Sequence, residues 1–290
     1  MVPYFGGKGK SDLGGWLFKN FDLKGINNYI EPFSGMFGIY LGEFSDFSIV
    51  KNIIYNDIEK QNCNLIRCSQ IPINLLLEIS ISFRKGGLFY CKGQPLEVTF
   101  EKYKALYQEY HDEIRKLPKI DLSKRDYPTA LMYSFLRLTS YGQLHYTESL
   151  FRTSLIDSWK KRFKIFQPLW NSLNDNDLIN KLARIKEITA DDFKDVMDRY
   201  NTPDSFIYCD PPYFDNEKYY DFNMTGVFTK HDHERLARVI NESDARIAVS
   251  YYDFPELHDY YPKDKFTWLE KEFWDSAGKK KNIEILILKN

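Results

Sequence analysis

The chain has 290 residues, with 40 Lys and Arg against 41 Asp and Glu, and 43% of its residues are hydrophobic. This length predicts about two domains, or one large domain with an insertion, because domains usually contain roughly 100 to 200 residues. The composition is that of a globular protein and excludes disordered, collagen-like and uniformly basic chains. The 21 Tyr and 22 Phe fit either a packed core or surfaces on which bases stack.

The sequence contains no signal for export or for membrane insertion. Its four cysteines form no C-x-x-C pair, and the first ten residues are not followed by an apolar signal-peptide core. No run approaches the ~18 consecutive apolar residues that a membrane span needs. We therefore expect a reduced, cytoplasmic protein that makes no membrane contact.

The first 60 residues predict a βαβ unit. A Gly-rich start precedes a predicted helix over residues 13–21, and Tyr29 and Ile30 lead into a turn of small residues. A second helix is expected after this turn, followed by a short strand over 53–55 that ends at Asn56 and Asp57. Strand, glycine turn, helix, strand and acidic residue form the usual order of such a unit.

The pattern then changes to longer helices, which Pro118, Pro128 and Pro168 separate. Strand patterns return at 206–209, 246–250 and 282–288, with a predicted helix over 231–240. The sequence therefore predicts an α/β sheet domain formed by residues 1–62 and 181–290. A mostly helical insertion of residues 63–180 divides this domain in the sequence.

The sharpest local signal is the run Asp-Pro-Pro-Tyr at 210–213, directly after an apolar strand. Two prolines remove two backbone donors and fix two φ angles, so strand pairing stops here. A carboxylate and an aromatic ring thus stand at the carboxyl end of a strand, which is where open α/β sheets bind ligands. In isolation the run also fits a simple strand terminator.

Asp-Pro-Pro-Tyr resembles motif IV of the amino-group DNA methyltransferases. Further segments match the DNA adenine methylase branch in the expected order, namely residues 3–8, 31–35, 56–57, 192–193, 231–237, 249–250 and 284–287. The resemblance implies a Rossmann-like methyltransferase sheet domain with a target-recognition insertion. It also implies methyl transfer to the N6 amino group of a flipped-out adenine in a specific double-stranded DNA sequence.

The resemblance assigns catalysis to the Asp-Pro-Pro-Tyr run. Hydrogen bonds from the adenine amino group to the Asp210 carboxylate and the Pro211 carbonyl would localise the nitrogen lone pair. The fixed negative charge would stabilise the positive charge that develops on nitrogen. Tyr213 would stack on the flipped base. The catalytic candidates are therefore Asp210, Pro211, Pro212 and Tyr213.

The methyl donor implied by the resemblance is S-adenosyl-L-methionine. Asp57 would accept hydrogen bonds from its ribose hydroxyls, as acidic residues do in nucleotide-binding βαβ units. An ordinary turn or helix cap is the alternative for Asp57. In the family the preceding turn more often reads F-x-G-x-G, whereas Phe37 stands here at the second glycine place. Donor contacts are also predicted for Tyr4, Lys8, Pro32, Phe33, Gly35, Asp192, Phe193 and Asp210.

The insertion is the predicted DNA-recognition part. Between residues 151 and 170 five basic residues accompany one acidic residue. This run fits either a phosphate-binding track or a solvated helix face. The DNA-binding candidates are Arg137, Tyr141, Arg152, Lys160, Lys161 and Arg162.

Other functions stay open at this point. Cytosine-N4 methylation uses the same chemistry, although the related enzymes more often carry Ser in place of Asp210. A catalytically inactive DNA-binding relative would keep the fold, and methylation of RNA or of protein glutamine is weaker still. Cytosine-C5 chemistry is disfavoured because no Pro-Cys pair occurs. We expect no metal, since His231 and His233 point in different directions on a helix. The sequence does not reveal a companion restriction endonuclease.

Overall fold

The structure is a computed structural model that describes residues 12–42, 44–86, 96–116, 120–139, 167–214, 228–274 and 281–289. The chain divides into two compact units. We call Lys60–Leu182 the helical unit, and the described residues of Phe5–Glu59 and Ala183–Asn290 the sheet unit.

The helices and strands are numbered here in chain order. The helices of the sheet unit are α1 (Asp12–Lys19), α8 (Phe193–Arg199), α9 (Lys230–Glu242) and α10 (Leu257–Tyr260). Its strands are β1 (Asn28–Glu31), β2 (Asn52–Asn56), β3 (Ile185–Thr189), β4 (Ser205–Cys209), β5 (Arg246–Tyr251), β6 (Thr267–Trp274) and β7 (Lys281–Lys289). The helical unit contains α2 (Lys60–Ser69), α3 (Pro72–Gly86), α4 (Leu96–Lys116), α5 (Tyr127–Thr139), α6 (Gln167–Leu173) and α7 (Asn176–Ala183), which ends one residue beyond it.

The seven strands form one sheet in the order β3-β2-β1-β4-β5-β7-β6. Strands β1 to β5 pair in parallel with one another, and β7 is antiparallel to both β5 and β6. The predicted α/β fold is therefore confirmed. The chain leaves β1 toward β2 and β3 and later returns to β4 on the other side of β1, which makes a topological switch point between β1 and β4. Ligands bind at such points, outside the carboxyl ends of the strands.

The alternation of side chains along each central strand gives the sheet two apolar faces. One face carries aliphatic residues such as Ile30 and Ile207, against which α8 and α9 pack. The other face is aromatic: the ring of Tyr29 lies 4.3 Å from that of Phe47, and the ring of Phe21 lies 4.8 Å from that of Phe206. Much of the aromatic content of the described chain thus belongs to the core.

Two local predictions differ from the structure. The helix expected after the first turn is absent from the described residues 32–42, which form turns instead. Phe37 has a φ of 56° there, and a left-handed residue interrupts a right-handed helix. Strand β3 was not predicted, because it is an edge strand that buries only Ile185 and so lacks an apolar pattern.

Within the helical unit, α5 packs against α2, α3 and α4. Asn64 joins α2 to the start of α5, since its side chain both donates to and accepts from the backbone of Asp126. Pro128 lies in the first turn of α5, where a missing backbone N–H costs nothing. Among the described residues, no helix is long and apolar enough to cross a membrane.

Candidate active site

The Asp-Pro-Pro-Tyr run lies at the carboxyl end of β4, at the switch point of the sheet. Strand β4 ends at Cys209, and Ile207 pairs in parallel register with Ile30 of β1. Asp210 and Phe33 each come three residues after this pair, so they leave the same edge of the sheet at the same level. Pro211 is buried, and Asp210, Pro212 and Tyr213 are half-buried. A carboxylate is thereby presented beside the turn that follows β1.

The side chain of Tyr213 is held at both its ring and its hydroxyl. Its hydroxyl donates a 2.6 Å hydrogen bond to Glu284 Oε1 on β7. Its ring centroid lies 4.3 Å from that of Tyr252 and 6.3 Å from that of Tyr251. Sequence reasoning did not assign roles to Glu284 or Tyr252. In the sequence, Glu284 could have been singled out because it is an acidic residue within the apolar run of β7.

An aromatic cluster supports the residue after the run. The ring of Phe214 stacks on that of Phe254 at 4.7 Å, and the buried His233 lies 5.6 Å from Phe214. His233 Nδ1 is 2.9 Å from the hydroxyl of Tyr251. His231, by contrast, has a side chain that is 74% exposed, so the two histidines do not share a site. Within the described part of the chain, no group of three or more His, Cys, Asp or Glu side chains could hold a metal ion.

Burial determines the state of the cysteine next to Asp210. It raises the pKa of the Cys209 thiol far above the ordinary value, and the nearby carboxylates of Asp210 and Glu31 raise this pKa further. The thiol therefore stays protonated at neutral pH, and the thiolate is the nucleophilic form of cysteine. This environment disfavours a nucleophilic role for Cys209.

The turn after β1 approaches β2 closely. Ser34 N–H donates to the carbonyl of Asn56 at 2.9 Å, and Gly35 has a φ of 51°, a conformation that glycine adopts without a steric penalty. A Cβ built on Gly35 meets no heavy atom of the described residues within 4 Å. Among the described residues, nothing therefore packs against the Cα of Gly35 on the side where a Cβ would project.

Phe37, at the second glycine place of this turn, has an unusual backbone conformation. Its φ of 56° is a left-handed conformation, which is uncommon for a residue other than glycine. The ring is fully buried and lies 4.8 Å from that of Tyr40 and 5.2 Å from that of Tyr55. A left-handed residue costs about 1–2 kcal/mol, whereas a buried phenylalanine contributes about 3–5 kcal/mol relative to alanine, so packing outweighs strain.

We expect Phe37→Gly to be destabilising but more stable than Phe37→Ala by about 1 kcal/mol. Both changes remove the buried ring, but alanine keeps the strain of the positive φ and glycine relieves it. This order is the reverse of the usual one, in which glycine destabilises relative to alanine. Urea denaturation of the three proteins measures the difference. An alanine variant as stable as the glycine variant would contradict the inferred strain.

Asp57 follows β2 and is nearly buried, with 8% exposure. Its carboxylate accepts hydrogen bonds from Gly35 N–H at 2.6 Å and from Glu59 N–H at 2.7 Å. The hydrogen bond from Glu59 N–H is an ordinary turn contact. The hydrogen bond from Gly35 N–H links Asp57 to the turn after β1. These two contacts fix the orientation of the Asp57 carboxylate.

Asn56 joins the ends of three strands. Its side-chain amide donates to the carbonyls of Pro32, after β1, and Asp191, after β3. Its amide oxygen accepts from the Thr189 hydroxyl and from Asp191 N–H. These four bonds satisfy the amide fully, and they set the relative positions of the turns that carry Phe33, Asp57 and Asp192.

The predicted pair Asp192 and Phe193 lies at the start of α8. Asp192 caps the helix by accepting from Lys194 N–H and forms an ion pair with Arg235 of α9. The guanidinium carbon of Arg235 lies 4.4 Å from the ring centroid of Phe193. The ring centroid of Phe33 lies 5.3 Å from that of Phe193. The structure thus brings Phe33, Phe193 and Asp192 together. Arg235, which sequence reasoning missed, holds them in place.

Other predicted residues lie elsewhere. Arg137, in the helical unit, donates to the hydroxyl of Tyr133, which in turn donates to Asn62. The remaining candidates lie outside the described residues: Tyr4, Lys8, Tyr141, Arg152, Lys160, Lys161 and Arg162.

Comparison with known proteins decides the family of this chain. The sequence profile of the family described as D12 class N6 adenine-specific DNA methyltransferase matches residues 4–274. The chain belongs to this family. The methyltransferase is also similar to the Type II methyltransferase M.MjaIII of Methanocaldococcus jannaschii, with 29% identity over 237 residues that cover 76% of this chain and 71% of the relative.

Membership establishes the activity as transfer of a methyl group from S-adenosyl-L-methionine to the N6 amino group of adenine in DNA. Of the methylation targets left open by the sequence, family membership selects the adenine N6 amino group over the cytosine N4 amino group. The seven-stranded sheet is the Rossmann-like sheet expected for such a methyltransferase.

The residues at the carboxyl edge fit the methyl donor. S-adenosyl-L-methionine offers hydroxyl and amino donors around an apolar ring, and the edge offers the carboxylates of Asp57 and Asp192 around the rings of Phe33 and Phe193. In the order of the strands, Asp192 and Phe193 follow β3, Asp57 follows β2, and Phe33 and Gly35 follow β1. These groups are chemically suited to a ligand that carries hydroxyl and amino donors and an aromatic base.

Proposed function

We propose that Asp210, Pro211, Pro212 and Tyr213 form the catalytic site of this methyltransferase and act on an adenine flipped out of double-stranded DNA. The observation that carries the proposal is the parallel register of β1 and β4, which brings Asp210 level with Phe33 beside the turn of Gly35. The amino-group site and the candidate donor site therefore share one edge of the sheet.

The Asp210 carboxylate and the Pro211 carbonyl accept the two N–H groups of the adenine amine in this proposal. Two acceptors draw the nitrogen out of conjugation with the ring, and its lone pair becomes available. The carboxylate is in place before charge develops, so it stabilises the cationic nitrogen without reorganising. S-adenosyl-L-methionine, when bound, supplies a methyl group activated by its sulfonium.

Tyr213 supplies the surface on which the flipped base rests. Flipping costs a few kcal/mol, and stacking of a base on an aromatic side chain is worth about 1–3 kcal/mol, so one ring offsets much of the cost. The contacts of Tyr213 with Tyr252 and Glu284 support this role, because they hold the ring before DNA binds.

Donor binding is proposed for Asp57 toward the ribose hydroxyls and for Asp192 and Phe193 toward the adenine of the donor. Pro32, Phe33 and Gly35 would line the same pocket. Tyr4 and Lys8 are proposed to contact the donor on family resemblance. The hydrogen bonds of Asn56 support this arrangement, since they connect the turns that carry these groups.

The experiment that tests the function uses labelled S-adenosylmethionine with mixed-sequence duplex DNA, single-stranded DNA and RNA. We expect label in duplex DNA, recovered as N6-methyladenine when the nucleosides are separated by mass spectrometry. The absence of label in DNA, or label on cytosine alone, would refute the assignment. Mapping the modified adenines after expression in a methylation-free host then identifies the recognition sequence.

Residues 63–180 are proposed to recognise the DNA sequence. They form an insertion between the two parts of the catalytic domain, residues 1–62 and 181–290. The helical content of the described part of this segment and its difference in pattern from the sheet unit support the division. Arg137, Tyr141 and Arg152 are proposed DNA contacts.

A cytoplasmic location is also proposed for the protein. Cys63, Cys68 and Cys209 are free thiols, as is usual in a reducing compartment.

Simultaneous replacement of Lys160, Lys161 and Arg162 by alanine should flatten the salt dependence of DNA affinity. Each phosphate contact contributes about 0.9 to the slope of log affinity against log salt, so the slope should fall by up to about 2.7. Fluorescence anisotropy across a salt series measures it. The control is Lys263→Ala with Lys265→Ala, two exposed positions of the sheet unit just before β6. An unchanged slope would assign the run to a solvated face.

A further inference from the structure

Strand β7 carries a fully buried carboxylate. Glu284 has 0% exposure and stands next to Ile285, within the part of β7 that pairs with β6. Burial of a carboxylate costs several kcal/mol unless hydrogen bonds compensate it. A buried glutamate in the middle of a strand therefore suggests that its carboxyl group has a role that an apolar side chain could not fulfil.

The register of the sheet directs Glu284 toward the catalytic run. The last pair between β5 and β7 is Tyr251 with Ile285, so β6 and β7 continue as a hairpin beyond the carboxyl end of β5. Glu284 is opposite Lys271, and Phe273 lies two residues further along β6 on the same face. Phe273 packs 6.3 Å from Tyr252, which contacts Tyr213. One face of the hairpin thus borders the Asp-Pro-Pro-Tyr run.

The opposite face of the hairpin carries exposed residues. Glu272 and Lys281 form an ion pair there, with side chains 58% and 52% exposed. Trp274 and Ile283 are exposed on the same side by alternation along the strands. The two acidic residues Glu272 and Glu284 therefore differ in surroundings, and Glu272 provides a matched control on the same hairpin.

The hydrogen bond from Tyr213 to Glu284 adds a directional restraint to the ring contacts of Tyr213. Packing against Tyr251 and Tyr252 limits the position of the ring, and the 2.6 Å hydrogen bond to Oε1 sets the direction of the phenol oxygen. Hydrogen bonds to a charged acceptor are about twice as strong as neutral ones. Glu284 thereby receives a hydrogen bond from the Tyr213 hydroxyl, and this bond helps to orient the Tyr213 ring.

We propose that Glu284 is a positioning residue for methyl transfer, which presets Tyr213 as the platform for the flipped adenine. The proposal rests on the proposed role of Tyr213 and extends it to a residue more than 70 positions away in the sequence. Glu284 does not touch the adenine. It acts through the tyrosine hydroxyl, so its effect should appear in steps that follow DNA binding.

The test compares Glu284→Leu, Glu284→Gln, Tyr213→Phe and the double variant Glu284→Leu with Tyr213→Phe. Loss of a hydrogen bond to a charged group predicts a fall in kcat of roughly 10- to 100-fold for Glu284→Leu and for Tyr213→Phe. KM for DNA should change much less. Glu284→Gln keeps an acceptor oxygen and should restore most of the activity. The double variant should be no slower than the slower single variant, because both changes remove one contact.

Base flipping gives a second readout. 2-Aminopurine at the mapped target adenine reports extrusion and stacking by fluorescence, and the quenching on stacking should be reduced in Glu284→Leu and recovered in Glu284→Gln. Thermal melting of each variant identifies misfolding. If Glu284→Leu does not fold, Tyr213→Phe and the double variant Tyr213→Phe with Glu284→Gln still test the contact. Glu272→Gln should behave as the wild type in every measurement.

Two results would overturn the proposal: wild-type kcat and fluorescence in Glu284→Leu, or a double variant whose loss equals the product of the single losses. The second result would show that the residues act independently. A failure of the proposed function is recognised separately. It would appear in the wild-type protein as unmethylated adenine, whereas a failure of the present proposal leaves wild-type turnover intact.

Discussion

Replacement of Asp210 by alanine is expected to lower methyl transfer about a thousandfold while DNA binding stays nearly unchanged. Removal of one preorganised electrostatic group from a catalytic site typically costs a factor of 10² to 10³. In the proposed site, the change would remove both an acceptor for the adenine amine and the negative charge that stabilises the cationic nitrogen. Single-turnover rates and DNA affinity, measured on the same preparations, separate the two effects.

Asp210→Asn distinguishes the two contributions of the carboxylate. The amide keeps one acceptor oxygen but no charge, so its rate should fall between those of the wild type and the alanine variant. Asp264→Ala is the control, because Asp264 is exposed and precedes β6 at the opposite edge of the sheet. Turnover of Asp210→Ala within tenfold of the wild type would contradict the catalytic assignment.

Replacement of Asp57 by alanine is expected to weaken binding of S-adenosylmethionine about 100-fold. Two hydrogen bonds from ribose hydroxyls to a carboxylate are worth about 3 kcal/mol together, which corresponds to this factor. The change also leaves Gly35 N–H and Glu59 N–H without their acceptor, at about 1–3 kcal/mol each. The melting temperature should therefore fall as well.

Asp57→Asn separates binding from stability. Asparagine keeps one acceptor oxygen for the backbone amides and should melt closer to the wild type, while its donor affinity should still fall about tenfold for loss of the charge. Isothermal titration calorimetry with S-adenosylmethionine measures the affinities. Unchanged donor affinity in both variants would mean that the ribose contacts another residue and that Asp57 serves the turn alone.

The central strands could be predicted because each consists of consecutive apolar residues. Phe206 to Cys209 are all buried in β4, and Ile53 to Tyr55 are all buried in β2. Strands that are buried on both faces show as continuous apolar runs, and the residues that end them mark the carboxyl edge. The positions of Asp57 and Asp210 after their strands follow from the same reasoning.

The contacts within the site could not be predicted in this way. Tyr213 and Glu284 are 71 residues apart, and Asp192 and Arg235 are 43 residues apart. Local periodicity carries no information on which distant side chains meet, because this depends on strand order and register. Phe37 is a different case: the local pattern favours a helix, and only its place in the glycine turn indicated a special backbone conformation.

The strand order has a consequence for how the chain folds. Strand β1 lies between β2 and β4, and the side chain of Asn27, just before β1, bonds to Asp204, 177 residues later. On the ribosome, β1 and β2 emerge long before β4, whereas each helix between them depends on backbone contacts within itself and forms quickly. The central ladder can close only after these helices are synthesised. We therefore expect slow assembly of the sheet, with an early intermediate in which the helices are formed and the N-terminal strands still await their partner.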